Sequence, residues 1–181
     1  TTFFALLAIA AQAAVVGAVV LFVGGRFVPA LAKLRAEAVA QVRPQAVTLA
    51  AVVALACTLG SLYLSEVANF EPCRLCWYQR GAMYPLVPLL AVAAITRSRV
   101  LALVGVAVAL VGGSISIYHV LVERFPSLEE STSCDPSNPC SLIWVEHAGY
   151  VTIPVMALSG FTLIITLLAI SVAGRPAEEA S

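Results

Sequence analysis

The chain has 181 residues, of which 61% are hydrophobic and 11% charged. Soluble globular domains carry about 45–50% apolar and about 25% charged residues, so this composition excludes an ordinary soluble enzyme, a disordered chain and a nucleic-acid binder. Ten basic residues balance ten acidic ones, so net charge points to no partner and only the placement of charges informs.

A helix rises about 1.5 Å per residue and the hydrocarbon core is about 30 Å thick, so about 20 apolar residues cross a bilayer. Five stretches meet this length: residues 3–24, 46–65, 77–95, 100–122 and 150–173. Backbone groups in lipid must be satisfied internally, and the alternation of a barrel strand is absent, so all five are expected to be helices. The fold class is therefore all-α and polytopic. It is read as a four-helix transmembrane core over residues 46–173, preceded by an extra transmembrane helix with a basic linker over 1–45 and followed by a tail, 174–181.

In chain order, the first stretch contains Ala11-Gln12-Ala13, which looks like a leader cleavage site. No basic residue precedes it and its apolar run is long for a leader, so a retained helix is expected. In the linker, Leu31, Leu34, Ala38 and Val42 recur at helical spacing between Pro29 and Pro44, as an interfacial helix or a solvated connection would. The second span holds Cys57 at mid-depth, read as a small buried hydrophobe. The third carries Arg80 near its start, with Pro85 and Pro88 further on as candidate kinks. The fourth is rich in small residues (Gly105, Gly112, Gly113, Ser114, Ser116) that permit close helix approach, and ends at His119.

Basic residues set the direction. Arg26, Lys33, Arg35, Arg43, Arg97, Arg99 and Arg175 fall on one side, and Arg74, Arg80 and Arg124 on the other, with most acidic residues. The first side is expected to be cytoplasmic, which places the N-terminus outside and the C-terminus inside.

That topology puts Cys73, Cys76, Cys134 and Cys140 in the two outer loops, where disulfides persist. Pro72 precedes Cys73-Arg74-Leu75-Cys76, and an apolar run follows, so Cys76 is expected near a helix N-terminus. Unpaired backbone N–H groups and the positive dipole end there favour a thiolate. Arg80 follows one turn on, on the same face. An arginine inside the membrane boundary asks for an anionic or strongly polar partner, and Trp77, Tyr78 and Tyr84 are candidates to line a flat ring pocket. Cys134 and Cys140 bracket Asp-Pro-Ser-Asn-Pro in a polar, turn-rich loop. Four thiols also suggest zinc, but these spacings are unlike zinc knuckles, so no metal is expected. Two structural disulfides compete more strongly, although a bridge across two residues closes too small a loop to stabilise much. His119 is a candidate for a hydrogen bond or proton to a bound ring. His147, Glu66 and Glu71 read as solvated.

Pro72-Cys73-Arg74-Leu75-Cys76-Trp77-Tyr78-Gln79-Arg80, then Cys134 with Pro139-Cys140-Ser141, and Tyr150-Val151-Thr152-Ile153-Pro154, resemble the DsbB/BdbC family of membrane disulfide-bond-formation proteins. The resemblance covers about residues 46–173; the first helix departs from the family's four-helix plan. It implies an integral membrane oxidoreductase that reoxidises a DsbA-like thioredoxin-fold partner on the outer face and passes electrons to a membrane quinone, ubiquinone or menaquinone. By resemblance, Cys73 and Cys76 are the quinone-proximal pair, with Cys76 the thiolate facing the ring. Arg80 interacts with the quinone, with His119 as a further candidate. Cys134 and Cys140 are the partner-facing pair, with Cys134 in the mixed disulfide and Cys140 relaying to Cys73. Two other readings compete: a vitamin-K-epoxide-reductase-like enzyme, disfavoured because its Cys-x-x-Cys falls late in the chain, and a non-catalytic scaffold stapled by two disulfides.

Overall fold

The computed structural model describes residues 1–131 and 134–172. Arg175 and the tail assigned to 174–181 lie outside the described residues. The helices are α1 (Thr2–Gly24), α2 (Pro29–Val42), α3 (Ala46–Glu66), α4 (Arg74–Thr96), α5 (Arg99–Arg124) and α6 (Ile153–Val172). Isolated bridges, Asp135 to Asn138 and His147 to Val151, are the only extended pairing among the described residues.

Four helical segments are long and apolar enough to cross a membrane: α1, the near-continuous Pro29–Glu66, α5 and α6. α4 matches them in length at 23 residues, but Arg74, Gln79 and Arg80 in its first two turns dilute its apolar character. The protein is thus all-α and polytopic.

Local signals place the boundaries. Pro29 starts α2, where its missing N–H costs nothing. Arg97 ends α4 in the left-handed region at φ 53°, and Ser98 caps α5 by accepting the Leu101 N–H at 3.4 Å. This tight turn sets α4 and α5 antiparallel. α6 begins later than the apolar run, because residues 150–152 are held outside it. There Val151 and His147 exchange backbone hydrogen bonds of 2.8 and 3.1 Å across a turn at Ala148 and Gly149.

α3, α4, α5 and α6 pack in a ring, each against its two neighbours. Ala50, Ala54, Leu86, Leu90, Phe161 and Ile164 lie at its centre. α5 and α6 approach closely where Gly112 faces the Phe161 ring; a Cβ on Gly112 would run into that ring. α1 lies outside the ring, chiefly against α6, and α2 folds back against α1. Large side chains on α1, such as Leu6, Val16 and Val19, stay exposed, as on a lipid-facing helix.

Candidate functional site

All four loop cysteines gather at one end of the bundle. Cys73 is the N-cap of α4, and its Sγ accepts the Cys76 backbone N–H at 3.4 Å. One helical turn sets the two sulfurs 2.9 Å apart as free thiols. Cys134 and Cys140 form a disulfide. A single apolar cluster of Cys73, Leu75, Val122 and Cys140, flanked by Cys76, Tyr118 and Cys134, packs the two pairs together.

His119 joins them. It is 2% exposed, and its Nε2 lies 3.6 Å from Cys73 Sγ and 3.1 Å from the Cys140 carbonyl oxygen. His119 is therefore placed between the cysteine pairs and does not line the apolar cleft described below. The Cys76 thiol donating to Cys73, and then the His119 ring, hold the Cys73 thiol well below the ordinary thiol range; burial opposes them without prevailing. The contacts that stabilise negative charge thus fall on Cys73, whereas the sequence reading put them on Cys76. The reason is local geometry: the sulfur that receives a helix N-terminal N–H belongs to the capping residue, three positions before its donor.

The disulfide loop is anchored by Glu129. Its carboxylate accepts the Cys140 N–H, the Ser141 N–H at 3.2 Å and the Ser141 hydroxyl. Cys140 is fully buried while Cys134 is half-buried, so the bond's accessible sulfur is Cys134. On either side of His119 along α5, Glu123 accepts the Thr152 hydroxyl at 2.6 Å, and Ser116 accepts the Gln79 amide at 3.2 Å. Together with His119 they form a buried polar face on an otherwise apolar helix.

Two clefts meet at the Cys73–Cys76 pair. One, polar and about 510 Å3, is lined by Cys73, Arg74, Cys134 and Asp135. The other is apolar, about 420 Å3, and runs into the membrane-spanning region between α1, α3, α4 and α6; Cys76, Arg80 and Tyr84 line it. Arg80 is fixed there by α3: its Nε donates to Ser61 Oγ and its Nη2 to the Ser61 carbonyl, both at 2.9 Å. Tyr84 also donates to Ser61 Oγ, at 3.3 Å. The guanidinium stacks over the Trp77 ring, 5.1 Å from its centroid. Trp77 and Tyr78 do not line the cleft. Its aromatic mouth is made instead by Phe70 and Trp144, with ring centroids 5.5 Å apart.

Cys73, Cys76 and His119 bring their ligand atoms within 4.8 Å of one another, a possible metal set by distance alone. Cys134 and Cys140, bonded to each other, are not available to a four-thiol site. Ser61, Phe70, Trp144, Glu123 and Glu129 went unread in the sequence. Only Glu129 carried a signal, as an acidic residue just before a cysteine loop. Cys57 lines the apolar cleft and packs directly against Gly160.

A bundle of membrane helices with a dithiol capping one helix, packed against a disulfide in the adjoining loop, defines a membrane thiol–disulfide protein. A family model described as "Disulfide bond formation protein DsbB" matches residues 43–147. The chain is 44% identical over 109 residues to a "Probable disulfide formation protein" of Oceanobacillus iheyensis, covering 60% of this chain and 75% of that one. It is 42% identical over 117 residues to "Disulfide bond formation protein C" of Bacillus subtilis, covering 65% and 85%. A "Probable disulfide formation protein C 2" of Bacillus anthracis is 33% identical over 130 residues, covering 72% and 92%. No solved structure matches. The chain belongs to the DsbB family and is a multi-pass membrane protein of disulfide bond formation.

Proposed function

We propose that the protein reoxidises a DsbA-like thioredoxin-fold partner at Cys134–Cys140 and passes the electron pair through Cys73 and Cys76 to a membrane quinone, on the outer face of a bacterial plasma membrane. One observation carries the reading. The Cys73–Cys76 pair straddles the clefts, with Cys73 facing the polar one beside Cys134 and Cys76 facing the apolar one beside Arg80.

The chemistry balances at each step. A partner thiolate attacks Cys134, the accessible sulfur, forming a mixed disulfide and releasing Cys140 as a thiolate. The buried Cys140 sulfur then attacks a Cys73–Cys76 disulfide at Cys73. The partner's second thiol resolves the mixed disulfide and leaves oxidised. Cys134 and Cys140 close again as the inner pair becomes the dithiol.

A bound quinone supplies an acceptor for two electrons and two protons. The residues around the apolar cleft suit it: Cys76 presents a sulfur, Tyr84 and Trp144 present ring faces, and Arg80 offers a cation where negative charge develops. Ser61 keeps the guanidinium from swinging towards bulk water. Oxidation of the Cys73 thiolate and the Cys76 thiol to a disulfide releases one proton, from Cys76, and the second proton for a bound quinone comes from water; His119 steadies the Cys73 thiolate until then.

The test is anaerobic turnover of the purified protein with a reduced thioredoxin-fold partner and added quinone, followed by quinone absorbance. Wild-type protein is expected to turn over, Cys76→Ser to be inactive, and Arg80→His to raise the KM for quinone without changing that for the partner. Partner oxidation that proceeds at the same rate without quinone overturns the reading.

A further inference from the structure

The apolar cleft has a wall that the family match does not include. The match begins at residue 43, whereas α1 ends at Gly24. Yet Phe4, Leu7, Ala8, Ala11 and Ala14 all line the cleft. At positions i, i+3, i+4, i+7 and i+10, they form a single helix face. From Phe4 to Ala14 this face spans about 15 Å at the helical rise.

α1 is held there by specific contacts. Gln12, a polar residue in an apolar helix, donates its amide to Ser159 Oγ on α6 at 2.9 Å and accepts from the Tyr150 hydroxyl at 2.8 Å. Both halves of its side chain are engaged across the interface, which fixes the rotation of α1. Higher up, Phe4 packs where Gly60 leaves room; a Cβ on Gly60 would lie 2.9 Å from the Phe4 ring. Phe4 also meets Tyr63, with ring centroids 5.6 Å apart.

The cleft changes character with depth. Its polar side chains sit at the mouth, around Arg80, Ser61 and Tyr84. Beyond them Ala8, Ala11 and Ala14 face Val53 and Ala56 of α3 and Ala157 of α6. Small residues on opposing walls leave a narrow apolar slot continuous with a charged, redox-active mouth. That shape suits an amphiphile with a flat polar head and a long hydrocarbon chain. Without α1 the groove between α3 and α6 would face lipid, and one chain would exchange freely for another. With α1 in place, the slot gains a further protein wall beside α3, α4 and α6.

We propose that α1 is the outer wall of the quinone cleft and that its alanine face grips the isoprenoid tail, making the helix a specificity element for tailed quinones. The inference rests on the quinone reading above. It assigns α1 a role in how tightly a tail is held, and none in electron transfer.

The experiment compares KM for a quinone with a long isoprenoid tail and for its tail-less ring analogue, with reduced thioredoxin-fold partner in excess. Ala11→Phe, which fills the slot, is expected to raise the KM for the tailed quinone about tenfold and leave that for the ring analogue within about twofold. Ala13→Phe, on the exposed side of the same helix, is expected to change neither. Equal changes in both KM values, or no change in either, overturns the inference. Should Ala11→Phe fail to fold, wild-type protein is labelled with a quinone carrying a photoreactive group on its tail. Cross-links within residues 4–14 support α1 as the wall, and cross-links confined to α3, α4 and α6 overturn it. Purified protein whose mass shows α1 to have been cleaved away also overturns it. Wild-type protein that reduces neither quinone overturns the quinone reading and this inference together.

Discussion

At the scale of single residues, the reactive pair divides its work by position. Cys73 caps α4, so it takes a backbone N–H, the Cys76 thiol and the His119 ring on one sulfur. Those contacts lower its pKa, and the consequence for pH has a definite sign. A thiol at its ordinary pKa of about 8.5 alkylates about tenfold faster per pH unit below that value. In the reduced protein, Cys73 is expected to alkylate at a rate nearly flat between about pH 6 and 8, because its thiolate is already formed there. His119→Ala removes one stabilising contact and is expected to restore a slope towards alkaline pH. Mass spectrometry of the Cys73 peptide after timed alkylation reads both. The same shift makes the reduced state more stable above the ordinary thiol pKa, and that increment is lost as pH falls through the lowered value. A wild-type slope of a full tenfold per unit would remove Cys73 as the charge-bearing sulfur.

At the scale of elements, close helix approach builds the bundle that supports the cleft. Gly112 is where α5 and α6 touch, and the Phe161 ring occupies the space a side chain would need. Phe161 is fully buried, so it can retreat only into the cleft that it lines. Gly112→Val is expected to destabilise the protein by about 1–3 kcal/mol, as overpacking does. Thermal unfolding in detergent measures it, with Gly81→Val as the control, since no atom lies within 4 Å of a Cβ there. An unchanged unfolding temperature for Gly112→Val would mean the two helices separate more easily than their packing indicates. Much of this architecture was legible beforehand, because hydrophobic length and small-residue content are local properties. Pro29 and Pro44 bracketed α2, and the glycines of α5 announced tight packing. The Cys-x-x-Cys dithiol and Arg80 were legible for the same reason: one helical turn fixes their relation. Ser61 was not, since it sits 19 positions from Arg80 and no local pattern marks it as the guanidinium's anchor. The place of His119 was misleading for a like cause. Its helix ends near both the clefts and the loop, and only the packing of Cys140 decides which it meets. The late start of α6 came from a three-residue turn between His147 and Val151 that an apolar run conceals.

At the scale of the whole molecule, charge and redox chemistry sort to opposite ends. Arg26, Lys33, Arg35, Arg43, Arg97 and Arg99 lie at the end where α1 finishes, α3 begins and α4 turns into α5. Both cysteine pairs lie at the other. Basic residues in short loops are retained on the cytoplasmic side, and moving one charge across the membrane costs about 2.3 kcal/mol per 100 mV. Six such residues give a strong bias, and the proposed orientation that follows from it has the cysteines in the compartment where a disulfide survives. The expected outcome is asymmetric labelling of intact cells. After mild reduction, a membrane-impermeant maleimide should modify Cys134, the accessible sulfur of its pair, from outside. An Ala36→Cys variant, at an exposed position on α2, should react only once the membrane is permeabilised. The reverse pattern would place the Cys134–Cys140 bond in a reducing compartment. Its oxidised state would then need a source other than the relay, and the steering of the chain by its basic end would be refuted with it.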